Sequence, residues 1–378
     1  AGYVKQGLDN DEGFIEIVSK IEIAGPGFLN LTLKPNFLIQ AVNSPPAKTD
    51  NTQTVVVDFS SPNLAKEMHI GHLRTTLIGD TMARVFEYQG HKVIRQNHVG
   101  DWGTQFGMLI AYLDSVGTSA DDLKDLEIFY QKAKKQFDED PDFAEKSRAY
   151  VVALQQDQPE VLEKWRGFIE ISMSHCGEIY SDLNVTLRPK DTFGESQYKG
   201  TIPSIMETLS EEGLLTESNG ALCVFLDEFT DKNREKQAVI VQKSDGGYLY
   251  ATTDLAAIRH RAHELEADRI LYFVDARQTL HFKQIFALAR KAGLCTPNLV
   301  LGHISNGAIL NKAGKPFKTR DGNTVKLADL IKESKDRAKE IFLAKNEKAD
   351  ISSVEEIANA IGIAATVSYT HLTLPTKA

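Results

Sequence analysis

Apolar residues recur along this chain at two different spacings. Between residues 21 and 33, Ile21 and Ile23, then Leu29, Leu31 and Leu33, alternate with polar neighbours on either side of Gly25-Pro26-Gly27, which predicts a β-hairpin. Residues 54–59 are a short, β-branched apolar run, the pattern of a buried strand. Residues 73–89 change to helical spacing: Leu73, Leu77, Ile78, Met82, Val85 and Phe86 fall on one stripe, and Gly90 stands where a C-terminal cap belongs. Residues 92–99 read as the next strand. Strand, helix and strand in so short a span predict the βαβ unit of a parallel sheet.

From about residue 119 to 181 the pattern is that of long helices, with Leu162, Trp165, Ile169 and Met173 on one face and an acidic break at residues 138–142. Strand candidates return at 238–242, 269–274 and 299–303, with a helix at 280–292 between the last two. The expected fold is α/β: a Rossmann-like doubly wound parallel sheet, interrupted by a helical insertion and then resumed. Residues 43–51 are polar and carry Pro45-Pro46, which marks a linker. Three regions follow: a small α+β domain at 1–48, the main domain at 49–350, and the start of a helical domain at 351–378, where Ser352 and Glu355 suggest a capping box.

Composition changes this picture little. Apolar residues make up 42% and charged residues 25%, which excludes a disordered or collagen-like chain. The longest apolar runs fall far short of the roughly 20 residues of a membrane span. Cys176, Cys223 and Cys295 lie far apart without CxxC spacing, which argues against zinc fingers and disulfide frameworks and for a reducing, cytoplasmic setting. Lys and Arg number 43 against 52 Asp and Glu. That balance opposes indiscriminate coating of nucleic acid but leaves room for a local basic site. The chain opens without an initiator methionine or a signal-peptide pattern, as a sequence starting inside a longer protein would.

The densest chemistry lies at residues 60–72, between the first parallel strand and its helix, at the sheet edge where open α/β folds bind ligands. Gly71 permits close approach of a phosphate, and the helix N-terminus behind it favours negative charge. His69 and His72, three apart, place ring donors on one side of the turn, suited to a phosphoryl group gaining charge. Two other readings fit an isolated pair: packing or capping, and a metal site, the latter without an evident third ligand.

His69-Ile70-Gly71-His72 resembles the HIGH signature of class I aminoacyl-tRNA synthetases. Residues 60–79 resemble its arginyl-tRNA synthetase version, and stretches at 100–107, 194–196, 244–254, 275–281 and 315–320 resemble that family in the same order. The resemblance implies arginine activation by ATP, with Mg²⁺ accompanying the nucleotide and no zinc, then transfer of the arginyl group to its tRNA. By the same resemblance His69, Gly71, His72 and Lys66 belong to the ATP site, and Asn63 and Gln278 hold the substrate's α-amino end. Glu195, Tyr250 and Asp254 surround the guanidinium. Chemistry agrees, since a planar fork of donors calls for carboxylates and a ring face. Taken singly, Tyr250 also fits an ordinary strand aromatic and Asp254 a helix N-cap after Thr252-Thr253.

Lys312, Lys315, Lys318 and Arg320 form a cluster that would ordinarily be a solvated charge run. Their place matches the KMSKS signature, so Lys318 and Arg320 are expected at the ATP phosphates. The sequence lacks that signature's final lysine, and the resemblance implies that Lys66 compensates. Residues 1–48 resemble part of a domain that contacts the tRNA elbow. Residues from about 366 do not resemble the family, which predicts a non-family, disordered tail on a truncated anticodon-binding domain. A monomer without membrane attachment is expected, with arginine and arginine tRNA as partners. The rival readings are another class I synthetase or related nucleotidyltransferase, and an incompetent fragment or tRNA- or partner-binding module on the same fold.

Overall fold

The computed structural model describes residues 1–117, 125–244, 246–307, 325–346 and 350–371. They divide into two compact units, 1–51 and 52–378. In the first, helices α1 (Gly2–Asp9) and α2 (Glu12–Ile17) precede strands β1 (Val18–Ala24) and β2 (Phe28–Leu33), and α3 (Pro35–Asn43) follows. The predicted hairpin is present: Ile23 pairs with Leu29 and Ala24 with Phe28, and Gly25 supplies the positive φ that the turn needs. Only Val18 is buried in this unit.

The second unit is built on a parallel sheet of strands β3 (Thr54–Phe59) and β4 (Lys92–Gln96), joined later by β8 (Arg269–Phe273) and β9 (Val300–His303), in the order β4-β3-β8-β9. Central β3 is covered on both faces, and Val55, Val56, Val57 and Phe59 are fully buried, which is why it reads as an apolar run interrupted only by Asp58. Helix α4 (Gly71–Tyr88) crosses back between β3 and β4 and ends at Gly90, whose φ of 98° meets the expectation of a glycine terminator. The approach of α4 to the sheet depends on Gly79, where a Cβ would fall 2.2 Å from that of Phe59.

The insertion comprises α5 (Thr104–Val116), α6 (Leu126–Glu139), α7 (Pro141–Gln155) and α8 (Pro159–Asp182), which share one core with β3 and α4. Asp140 ends α6 and caps α7, accepting from the N–H groups of Asp142 and Phe143. Helix α9 (Ile202–Glu211) then leads into a feature that the hydrophobic pattern does not separate. Strands β5 (Thr216–Ser218), β6 (Ala221–Thr230) and β7 (Lys236–Gln242) form their own antiparallel sheet. The expected strand at 238–242 exists, but it pairs with β6 rather than with the parallel sheet. Helix α10 (Tyr250–His263) and helix α11 (Thr279–Lys291) flank β8 in sequence and share with β6 and β7 a second core on the other face of the main sheet.

Helices α12 (Leu327–Lys345) and α13 (Ile351–His371) complete the unit. The start of α13 differs from the expected capping box: the helix already begins at Ile351, and Asp350 accepts from Ser352 Oγ and from Ser353 N–H. The acid takes the cap because an ionised carboxylate is the stronger acceptor at a helix N-terminus. Helical structure continues through residue 366 to His371, with Thr366 Oγ bonded to the Gly362 carbonyl at 2.9 Å.

Candidate active site

The loop from β3 to α4 is held in an unusual shape. Ser60 and Ser61 sit at φ 69° and 47°, left-handed values that are uncommon for residues with side chains. A buried polar knot fixes them: Ser60 Oγ lies 2.7 Å from Tyr180 OH, Thr76 donates to Ser60 at 2.9 Å, and Ser61 N–H donates to Asn97 Oδ1 at 2.9 Å. Beneath it, Asp58 accepts from Ser61 Oγ and forms a buried ion pair with Arg261 of α10 at 2.7 Å.

His69 and His72 stand together at the start of α4, ring centroids 4.1 Å apart. Each Nδ1 accepts a backbone N–H, from Gly71 at 3.0 Å for His69 and from His69 at 3.1 Å for His72. A neutral imidazole accepting at Nδ1 carries its proton on Nε2, so both rings are Nε2–H donors. Burial, then the Lys66 and Arg277 cations, pull His69 down to about 4; burial and the neighbouring His69 pull His72 down to about 3. Neutral donors at a helix N-terminus form a site for an anion. Gly71 is needed because a Cβ there would lie 2.7 Å from the His69 ring.

Lys66 belongs to the same loop, and its ammonium lies 4.3 Å from the centroid of the Tyr130 ring on α6. Arg277, also acting on His69, is held by a two-pronged contact to Asp275, with both N–H···O distances at 2.9 Å. Lys318 and Arg320, with Lys312 and Lys315, lie outside the described residues. The described residues on either side of them both meet this site. Arg74 of α4 donates to the Gly307 carbonyl at 3.0 Å, and Ile70 N–H donates to the Val325 carbonyl at 3.1 Å.

On the same carboxyl edge of the sheet opens a cavity of about 840 Å³, lined among others by Asn63, Trp102, Glu195, Tyr248, Tyr250 and Thr253. Burial pushes the Glu195 carboxyl up to about 8, helped by the negative charges of Asp254 and Asp101. Asp101 is itself raised by burial, although Ser196 donates to it from its N–H at 2.9 Å and its Oγ at 2.6 Å. Asp254 lies one turn after Tyr250 on α10, inside the helix rather than at its N-cap, and Tyr250 is the helix's first residue rather than a strand aromatic. Its Oδ2 is 2.6 Å from His281 Nε2 and its Oδ1 3.7 Å from His98 Nε2. The structure thus brings Asn63, Glu195 and Tyr250 to one cavity with Asp254 beside it. Gln278 is exposed, stands at the N-cap position of α11 without a side-chain capping bond, and is not among the residues lining that cavity. Three crowded carboxylates next to a ring face suit a planar cation.

The family model for class I tRNA synthetases (R), catalytic domain, matches residues 34–374. The chain belongs to this family. It is 51% identical over 369 residues to an arginine–tRNA ligase of Hahella chejuensis, covering 94% of this chain and 64% of that protein. To the Azotobacter vinelandii arginine–tRNA ligase it is 53% identical over 363 residues, covering 94% and 62%. Among solved structures it resembles arginyl-tRNA synthetase from Plasmodium falciparum, with TM-score 0.70 and 32% identity over 93% of this chain and 60% of that one. The Thermus thermophilus enzyme shares the fold at TM-score 0.69 and 21% identity, over 93% of this chain and 63% of that one. The chain therefore spans 62–64% of the length of the curated relatives named.

With the synthetase catalytic fold in place, the Rossmann-like expectation holds. The fold also brings to the site two residues that the sequence pattern does not single out, His98 and His281. Both stand inside or beside stretches that carry the resemblance, but nothing in their spacing announces a contact with Asp254. Among the described residues no group of three or more His, Cys, Asp or Glu could hold a metal ion. No described helix is long and apolar enough to cross a membrane.

Proposed function

We propose that this chain carries the arginine-activating site of an arginine–tRNA ligase. The observation that carries the reading is the pairing, on one sheet edge, of a cavity bearing buried Glu195 with Asp254 beside it, and of two neutral histidines at the start of α4. The first suits a guanidinium and the second an anion. Family membership and the arginine-specific names of the relatives support it.

In the reaction, a carboxylate oxygen of arginine attacks the α-phosphorus of ATP; the bond to the β-phosphate breaks, and pyrophosphate leaves with its electron pair. His69 and His72 donate Nε2–H to phosphate oxygens as charge grows on them, and Lys66 supplies a positive charge on the same loop. Such donors matter because phosphoryl-type transfer is mostly positioning and charge stabilisation. Asn63 and Gln278 take the α-amino end of arginine; Glu195, Asp254 and Tyr250 take its guanidinium. Lys318 and Arg320 face the phosphates in this reading, and Mg²⁺ arrives with ATP. A hydroxyl of the terminal adenosine of arginine tRNA then attacks the arginyl carbonyl, releasing AMP. Residues 1–48 meet the tRNA elbow, residues 351 onward open the anticodon-binding domain, and the whole works as a cytoplasmic monomer.

Thermal unfolding with a non-hydrolysable arginyl-adenylate analogue, compared with lysyl and glutamyl analogues, tests this. A ligand at about 100 times its Kd adds roughly 2.7 kcal/mol. Stabilisation by the arginyl compound alone is expected. No shift with any analogue, in a chain that melts cooperatively, would favour the binding-module reading instead.

A further inference from the structure

His281 lies in the first turn of α11 yet touches the arginine side of the cavity twice. Its Nε2 is 2.6 Å from Asp254 Oδ2, and its ring meets the Tyr250 ring edge-on with centroids 4.8 Å apart. Gln278 stands three residues before it, at the N-cap of the same helix. A single imidazole thus bridges α10 and α11 and contacts two of the three residues assigned to the guanidinium. An ionised carboxylate only accepts hydrogen bonds, so Nε2 is the donor and the Asp254 carboxylate is held by one oxygen. The terminal torsion of an aspartate is otherwise broad, whereas a guanidinium fork needs the carboxylate plane fixed. His98, at 3.7 Å from the other oxygen, stands beyond hydrogen-bond length.

We propose that His281 is a positioning residue that fixes Asp254 and Tyr250 for guanidinium recognition, and so sets arginine affinity without serving the nucleotide. The inference rests on the arginine-activating reading above. The test is calorimetric titration of the full chain with L-arginine, and separately with MgATP, for the native protein and for His281→Ala, His281→Gln and His281→Phe. Loss of an oriented, charge-assisted hydrogen bond predicts that the alanine form binds arginine at least about tenfold more weakly. Its ATP affinity should stay within about twofold of native, since the contacts of His281 with Asp254 and Tyr250 lie on the arginine side and not on the histidine loop. Glutamine, which restores an N–H donor, should recover most of the arginine affinity. Phenylalanine keeps ring bulk against Tyr250 without the donor, so it should bind arginine as weakly as alanine does and replaces the alanine form if that one fails to fold. Unchanged arginine binding in the donorless forms would overturn the proposal, as would a parallel loss of arginine and ATP binding or a failure of glutamine to rescue. A native chain that melts cooperatively but binds no arginine would instead overturn the arginine reading, and this inference with it.

Discussion

Neutralising Glu195 separates the demands of folding from those of binding. Its carboxyl is raised from 4.5 to about 8 by burial and by Asp254 and Asp101, so the empty site keeps a proton that the unfolded chain gives up. Between those two pH values the folded state binds more protons than the unfolded state, and stability must fall as pH rises. The contribution is complete below the unfolded value and gone above about 8. At about 1.4 kcal/mol per pKa unit, the cost of ionising Glu195 in the empty protein is roughly 3 to 5 kcal/mol. Glu195→Gln keeps the shape and never ionises. Urea unfolding across this range should show the two proteins nearly equal near pH 4 and the variant more stable by roughly 3 to 5 kcal/mol near pH 9. Titrations away from Glu195 are common to both proteins and cancel in the difference, whereas Asp254 and Asp101 lose a like-charged neighbour in the variant.

Arginine should narrow the gap. A cation beside Glu195 offsets the repulsion from Asp254 and Asp101, so binding near pH 7 expels close to one proton and tightens as pH rises towards 8. Calorimetry in buffers of different ionisation enthalpy reads that proton directly. Saturating arginine at about 100 times its Kd then adds roughly 2.7 kcal/mol to the native protein and much less to the variant. Equal stabilities near pH 9, or a native arginine affinity flat from pH 6 to 8, would refute the view that Glu195 is a buried acid awaiting a cation.

In the proposed reaction His72→Ala removes one of two donors to the phosphates and should slow adenylate formation by about 10² to 10³-fold while the protein melts normally; near-normal turnover would remove His72 from the mechanism. Arg261→Leu strands the Asp58 carboxylate, which is 2% exposed, and should lower the unfolding free energy by roughly 3 to 5 kcal/mol in urea, with Asp58→Asn recovering part of it in the double variant. Gly79→Ala sets a Cβ 2.2 Å from the Phe59 Cβ and should destabilise by roughly 1 to 3 kcal/mol, outweighing the gain in helix propensity. A Gly79→Ala protein as stable as native would mean that α4 can move off the sheet.

Some of this was legible in the sequence, and the rest was hidden for identifiable reasons. Strand β3 could be read because burial on both faces favours apolar residues, Asp58 being inside only with its Arg261 partner, and α4 because Leu73 and Leu77 of its apolar stripe are buried, although Val85 is exposed. Strand β7 shows the limit. Its short apolar run marks a strand, and Val239 and Val241 are indeed inside, but such a run carries no information about the partner strand. Only the pairing with β6 places it in a separate antiparallel sheet, and β6 was not among the expected strands.

The site divides along the same line. Glu195, Tyr250 and Asp254 were reachable through local motifs, whereas the contacts that give them their properties join distant parts of the chain. His281 meets Asp254 from the next helix, Asp101 presses on Glu195 from another loop, and Arg261 reaches Asp58 from a helix that follows the whole insertion. A motif therefore identifies which groups are present, while their protonation depends on which others are buried with them. Glu195 makes the point most sharply: the same residue type on a solvated turn would be an ordinary anion, and here burial together with Asp254 and Asp101 pushes its carboxyl up to about 8.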